Sequence, residues 1–218
     1  MTALLQIEGL GKRFGGVQAV QGVGFSLEPG EVLALIGPNG AGKSTTFNML
    51  SGQLQADAGS VRLNGAELVG MQPRDIWRLG VGRTFQIAET FSSLTVVENV
   101  QMALLSNAKR LFKLWQPARH FQRDEAVALL ALVGMADQAD RPCSELAYGD
   151  IKRVELAIAI AHSPSLLLMD EPTAGMAPAE RNQLMALTQR LARERNMAVL
   201  FPEPSMDVVF AYADRIIV

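Results

Sequence analysis

The sequence predicts an α/β fold: a parallel sheet wound with helices, a small antiparallel β layer, and an inserted helical subdomain. Three observations predict it. Apolar runs at 31–36, 166–169, 198–201 and 215–218 alternate with helical segments, the pattern of parallel strands joined by crossovers. The first 27 residues instead carry short alternating runs punctuated by Gly9, Gly11, Gly15 and Gly16, which reads as antiparallel pairing. From about residue 73 to 160 the apolar spacing is mostly helical.

Taken in order, 4–7 and 17–27 alternate as strands of the antiparallel layer, and Glu28-Pro29-Gly30-Glu31 is a turn. Glu31-Val32-Leu33-Ala34-Leu35-Ile36 is a buried strand, a glycine-rich turn follows, and Thr45 to Leu50 reads as a helix. Asp57-Ala58-Gly59-Ser60 reads as a second turn, before a strand at 61–63 and the turn Asn64-Gly65. In the middle section Thr95 is placed as an N-cap with Glu98 at the capping-box position. Residues 122–133 present Ala126, Leu129, Leu130 and Val133 at helical spacing. Leu166-Leu167-Leu168-Met169 is a second buried strand, 179–196 an amphipathic helix, 198–201 a third strand and 215–218 the start of a fourth. The chain stops inside that strand, which predicts that further sequence belongs beyond Val218.

At 218 residues the chain fits one large domain, or one core with an inserted subdomain. Hydrophobic content of 49% against 19% charged residues is that of a packed globule. A net charge of −2 gives no footprint for nucleic acid, and the basic runs Lys109-Arg110 and Lys152-Arg153 read as solvated faces. The single cysteine, Cys143, excludes an internal disulfide and reads as a small structural side chain. The first residues lack a signal-peptide pattern, and no apolar run reaches the eighteen or so residues of a membrane span, so membrane contact is expected through a protein partner.

Gly37-Pro38-Asn39-Gly40-Ala41-Gly42-Lys43-Ser44 fits G-x-x-x-x-G-K-[ST], the phosphate-binding P-loop or Walker A motif, in its required context of strand, turn and helix. Glycines let consecutive N–H groups point into one concavity that cradles phosphate oxygens, and the following helix adds the positive end of its dipole. Lys43 can reach the β- and γ-phosphates and the Ser44 hydroxyl can ligate Mg²⁺. The expected phosphate-binding set is Gly37, Asn39, Gly40, Ala41, Gly42, Lys43, Ser44 and Thr45. The strand 166–169 ends in Asp170-Glu171, the Walker B pattern. It delivers two carboxylates to the strand's carboxyl end, Asp170 for the Mg²⁺ shell and Glu171 as a general base on water.

Between these motifs, Leu146-Ala147-Tyr148-Gly149-Asp150 resembles the signature of ABC ATPases, usually L-S-G-G-Q. Gln86, in Arg83-Thr84-Phe85-Gln86, stands where that family has its Q-loop, Phe14 where an aromatic stacks on adenine, and Gly175-Met176-Ala177-Pro178 at the D-loop. The phrasing of Leu94 to Val100 and of Asp170 to Glu180 is similar to the ATP-binding subunits of branched-chain amino acid importers. Urea and amide importers and the lipopolysaccharide-export ATPase are alternatives.

The resemblance implies a P-loop NTPase with a RecA-like core at 1–86 and 161–218 and a helical subdomain at 87–160. It implies an ATPase that couples ATP and Mg²⁺ to transport from the cytoplasmic face of the membrane. Glu171, Gln86 and Lys43 would act in catalysis, Ser44, Gln86 and Asp170 at the metal, and Phe14, Ala147 and Gly149 on nucleotide. It further implies head-to-tail pairing with a second ATPase subunit, either a copy or the different ATPase that importers of this kind often carry. Permease subunits and, indirectly, a substrate-binding protein complete the expected partners.

The chain departs from the family at three places. Ala147 and Tyr148 replace signature residues, and Asp150 replaces glutamine, as within the importer subgroup. After the strand at 198–201, however, the family has a histidine that touches the γ-phosphate, and here the chain reads Pro202-Glu203-Pro204. Pro204 has neither imidazole nor N–H, which predicts slowed or lost hydrolysis with binding retained. Neither His120, read as a surface residue, nor His162, read as a helix-end residue, replaces it. A nucleotide-gated module without hydrolysis is the rival reading. A soluble ABC ATPase acting on DNA or ribosomes is disfavoured by the absence of coiled arms and a basic face, and a GTPase by the absence of Asn-Lys-x-Asp.

Overall fold

The computed structural model describes residues 3–85, 90–107 and 122–218. Its centre is a five-stranded parallel sheet in the order β6-β7-β8-β3-β9: β3 is Val32–Leu35, β6 Val81–Thr84, β7 Leu166–Met169, β8 Ala198–Pro202 and β9 Arg215–Ile217. An antiparallel sheet, ordered β2-β1-β4-β5, covers one face. It is built from β1 (Leu5–Phe14), β2 (Val17–Leu27), β4 (Ala58–Leu63) and β5 (Ala66–Glu67).

The continuous apolar runs follow from burial on both faces. Val32, Ala34, Leu167, Met169, Val199 and Phe201 point into one core, and Leu33, Leu35, Leu166, Leu168, Ala198 and Leu200 into the other. The second core is closed by the antiparallel sheet and by α1 (Lys43–Leu50), through Phe47 and Leu50. The first is closed by α3 (Val96–Asn107), α4 (Arg123–Leu132), α5 (Tyr148–Ile160), α6 (Pro178–Glu194) and α7 (Met206–Tyr212). A short helix, α2 (Pro73–Arg78), precedes β6 and buries Ile76 in the second core.

The capping box forms: Thr95 N–H donates to Glu98 Oε2 at 2.9 Å, and Glu98 N–H to Thr95 Oγ1 at 3.3 Å. Cys143 is buried, accepting from Asn99 Nδ2 at 3.2 Å, and burial pushes its thiol pKa up, as fits a structural residue.

Three expectations need correction. The mostly helical section from residue 73 contains a strand not assigned from the sequence: β6, an edge strand of the parallel sheet. Its sequence, Val-Gly-Arg-Thr, lacks an apolar run; it is buried through close backbone packing, and a Cβ on Gly82 would lie 2.7 Å from the Ala159 carbonyl oxygen. Residues 58–60 are not a turn, since Ala58 pairs with Gly11 and Ser60 with Glu8 as β4 begins. Lys152 is not on a solvated face. It is 3% exposed, with its Nζ 3.1 Å from the equally buried Glu155 carboxylate. Lys109-Arg110 lies outside the described residues.

Candidate functional site

The parallel register brings four chain segments to one edge of the sheet. Leu35 is level with Pro202, and Thr84 with Met169, so the carboxyl ends of β3, β8, β7 and β6 line up. The loop 37–42 leaves β3, Glu203-Pro204 leaves β8, Asp170-Glu171 leaves β7, and Phe85 leaves β6. Because β8 lies between β3 and β7, the segment carrying Pro204 separates the glycine loop from the acidic pair. This is the edge at which open α/β sheets take ligands. Gln86, the next residue after Phe85, lies outside the described residues.

The glycine loop ends at Gly42, the left-handed N-cap of α1 (φ 86°), with no side-chain cap and no acidic residue in the first turn. The N-terminal amides of the helix are therefore left to another acceptor. Lys43, the first helical residue, puts a cation at the positive end of the dipole, an unfavourable place unless an anion joins it. Its Nζ donates to the carbonyls of Gly37 (2.7 Å) and Pro38 (3.0 Å), folded over the loop. Asn39, Gly40, Ala41 and Ser44 are exposed on this rim, and Thr45 is half-buried. A Cβ on Gly42 would lie 2.5 Å from the Ala19 carbonyl oxygen, so the loop is pressed against β2. The β1–β2 hairpin thus meets the loop, and it carries Phe14 half exposed at its tip, with Lys12 Nζ 5.7 Å from the ring centroid.

Across the edge, Asp170 Oδ2 lies 3.4 Å from Arg83 Nη2, and Glu171 takes a left-handed backbone (φ 44°). For a residue with a Cβ that conformation costs on the order of 1–2 kcal/mol, sustained by its surroundings. Thr173 Oγ1 donates to Glu203 Oε2 at 2.7 Å, and Ser205 N–H donates to the other carboxylate oxygen at 3.0 Å. Burial raises the pKa of Glu203, opposed by those two bonds. Glu203 thus faces inward and ties the segments after β7 and β8 together, while Pro204 is exposed. Among the described residues no group of three His, Cys, Asp or Glu side chains could hold a metal by itself. A hydroxyl and a carboxylate are hard oxygen donors suited to a magnesium ion carried in on phosphates.

The signature segment sits elsewhere. Ala147 is the N-cap of α5, and Tyr148 and Gly149 open that helix. Gly149 lies under the Glu180 carboxylate of α6, and Tyr148 beside Gly175, so this segment packs on residues 175–180. No hydrogen bond joins Ala147 or Gly149 to residues 37–44. His162, just past α5, stacks on Trp77 with centroids 4.4 Å apart; burial lowers its pKa to about 4, and it takes no part at this edge. His120 lies outside the described residues.

Sequence reasoning missed four side chains: Arg83, Glu203, and the buried pair Lys152–Glu155. Lys152 Nζ donates to the Phe85 carbonyl at 2.6 Å, and Phe85 N–H donates to Glu155 Oε1 at 2.6 Å. Their spacing, i and i+3 on one helix face, was the available signal. Beside Phe85 opens a groove of about 390 Å³ between α2, β6, α3 and α5, lined by Trp77, Ile76, Ala103, Ile158 and Arg83 among others.

Residues 20–174 match the family model described as ABC transporter. The chain is 39% identical over 222 residues to the high-affinity branched-chain amino acid transport ATP-binding protein LivG of Escherichia coli (strain K12), spanning 99% of this chain and 87% of that protein. It is 40% identical over 226 residues to the corresponding BraF of Pseudomonas aeruginosa, with the same coverage. Among solved structures, the ADP conformation of MJ1267, an ATP-binding cassette of an ABC transporter, superposes with a TM-score of 0.86 at 30% identity, covering 98% of this chain and 86% of that one.

Proposed function

Because the chain belongs to the ABC transporter family, whose ATP-binding members are ATPases coupled to transport, we propose that it energises an importer of branched-chain amino acids. The observation that carries this reading is the sheet edge, where an uncapped helix N-terminus bearing Lys43 and the pair Asp170-Glu171 share one face. The cargo class is supported by the names of the relatives at 39–40% identity.

On this reading Gly37 and Asn39 to Thr45 hold the phosphates and Phe14 stacks on adenine. Ser44, Asp170 and Gln86 would hold Mg²⁺, which would supply positive charge beside the phosphates. Glu171 orients water. The nucleotide core is 1–86 with 161–218, and 87–160 forms the helical subdomain. Ala147 and Gly149 act on the nucleotide of a second ATPase subunit, supported by their place beside residues 175–180 rather than at their own loop. The apolar groove beside Phe85 takes a cytoplasmic helix of a permease subunit, and a binding protein acts through that permease. The chain works peripherally at the cytoplasmic face of the membrane; no helix among the described residues is long and apolar enough to cross it.

Pro204 supports slowed hydrolysis, and with it a second reading: a module that closes on ATP without turning it over. Calorimetry with ATP and magnesium tests what both share. Binding heat that disappears in Lys43→Ala is expected; heat that persists in that variant overturns the nucleotide site.

A further inference from the structure

We propose that Arg83 is the positioning residue for the metal carboxylate Asp170, an inference that rests on the nucleotide site proposed above and deepens it. Arg83 is the third residue of β6, level with Leu168, two residues before Asp170 on the neighbouring strand. Its side chain is 11% exposed and that of Asp170 17%. Nη2 lies 3.0 Å from Asn48 Oδ1 and 3.4 Å from Asp170 Oδ2. Nη1 lies 2.9 Å from Gln53 Oε1 and also bonds Ser51 Oγ. The Phe85 ring sits under the guanidinium, 4.9 Å from its carbon to the centroid.

Three of these acceptors are neutral oxygens on α1 or just beyond it, the helix that begins at the phosphate loop. The planar fork is fixed by them and by the ring, and a single nitrogen is left to meet a single oxygen of Asp170. A pair built for stability would be bidentate and shorter. Here the contact immobilises Oδ2 and leaves Oδ1 without a hydrogen bond among the described residues. An outer partner that orients a ligating carboxylate in this way sets metal affinity. The helix of the phosphate loop and the strand of the acidic pair are held in register by the same side chain, so phosphate and metal groups keep a fixed relation.

The test compares ATP binding by calorimetry with magnesium and with EDTA, for the full chain and for Arg83→Met, Arg83→Lys and Asn48→Ala. The quantity read is the ratio of the two dissociation constants. Arg83→Met is expected to cut the magnesium-dependent gain by about 10–100-fold while leaving binding in EDTA unchanged. Arg83→Lys keeps the charge but not the fork and recovers only part of the gain. Asn48→Ala loosens the fork and gives a smaller loss of the same kind, which carries the test should Arg83→Met fail to fold. A ratio that stays or rises, or equal losses with and without magnesium, overturns the inference. If the unaltered chain shows no ATP binding that depends on Lys43, the nucleotide reading itself falls; if that binding and its magnesium gain are present and the variants keep the gain, only the role of Arg83 falls.

Discussion

At the scale of single residues, the proposed slowing of hydrolysis turns on Pro204. Its neighbour Glu203 is 2% exposed and committed to Thr173 and Ser205, so it offers no free polar group to a phosphate. Pro204 itself is exposed between the glycine loop and the acidic pair, with no donor to give. Pro204→His restores both an N–H and an imidazole there. Steady-state ATP turnover is expected to rise by about a hundredfold or more, the usual weight of one polar contact to a transition state. Equal turnover in the two proteins would show that position 204 does not limit hydrolysis. The glycine loop and the acidic pair were legible in the sequence because their chemistry is local: the spacing of a few residues creates the cradle and the strand end. The inward turn of Glu203 was not, since it depends on Thr173, thirty positions away.

At the scale of elements, strands with a continuous apolar run or a clean alternation announce themselves, and one with neither does not. Strands β3, β7 and β8 were readable because both faces are buried and every residue is apolar, apart from the closing Pro202. β6 was missed because Gly82 fills space by having no side chain, and Arg83 spends its charge at the site. Lys152 was misread because a charge run on a helix is ordinarily solvated, and nothing local shows that Phe85 will arrive to accept its hydrogen bond. One side of the Lys152–Glu155 pair should not be removable alone. Lys152→Met leaves a buried carboxylate without this cation and is expected to lower the unfolding free energy by about 3–5 kcal/mol in urea titrations. Lys152→Met with Glu155→Leu should recover only part of it, because the peptide groups of Phe85 stay unpaired. Independent, additive losses would mean the two side chains do not act as a unit.

At the scale of the whole molecule, one sheet divides two cores, and the nucleotide edge and the signature segment belong to different parts of the surface. Within one chain α5 starts against α6, and its first residues pack on 175–180. On the proposed reading two ATPase chains complete one site, which a mixing experiment reads directly. In a Pro204→His background, chains with Lys43→Ala or Gly149→Asp are each expected to be inactive, and their mixture to regain turnover from pairs with one intact site. A mixture as silent as its components assigns the second half-site to a different subunit.

The abutment of Gly42 on Ala19 has a wider meaning. The hairpin bearing Phe14 and the loop bearing Lys43 are butted backbone to backbone, so neither can slide along the other without collision. On the proposed reading, aromatic platform and cation are two marks on a rigid ruler. A nucleotide is then gauged by its length, from base to phosphates, and one that is a phosphate short meets the far mark through its β-phosphate alone.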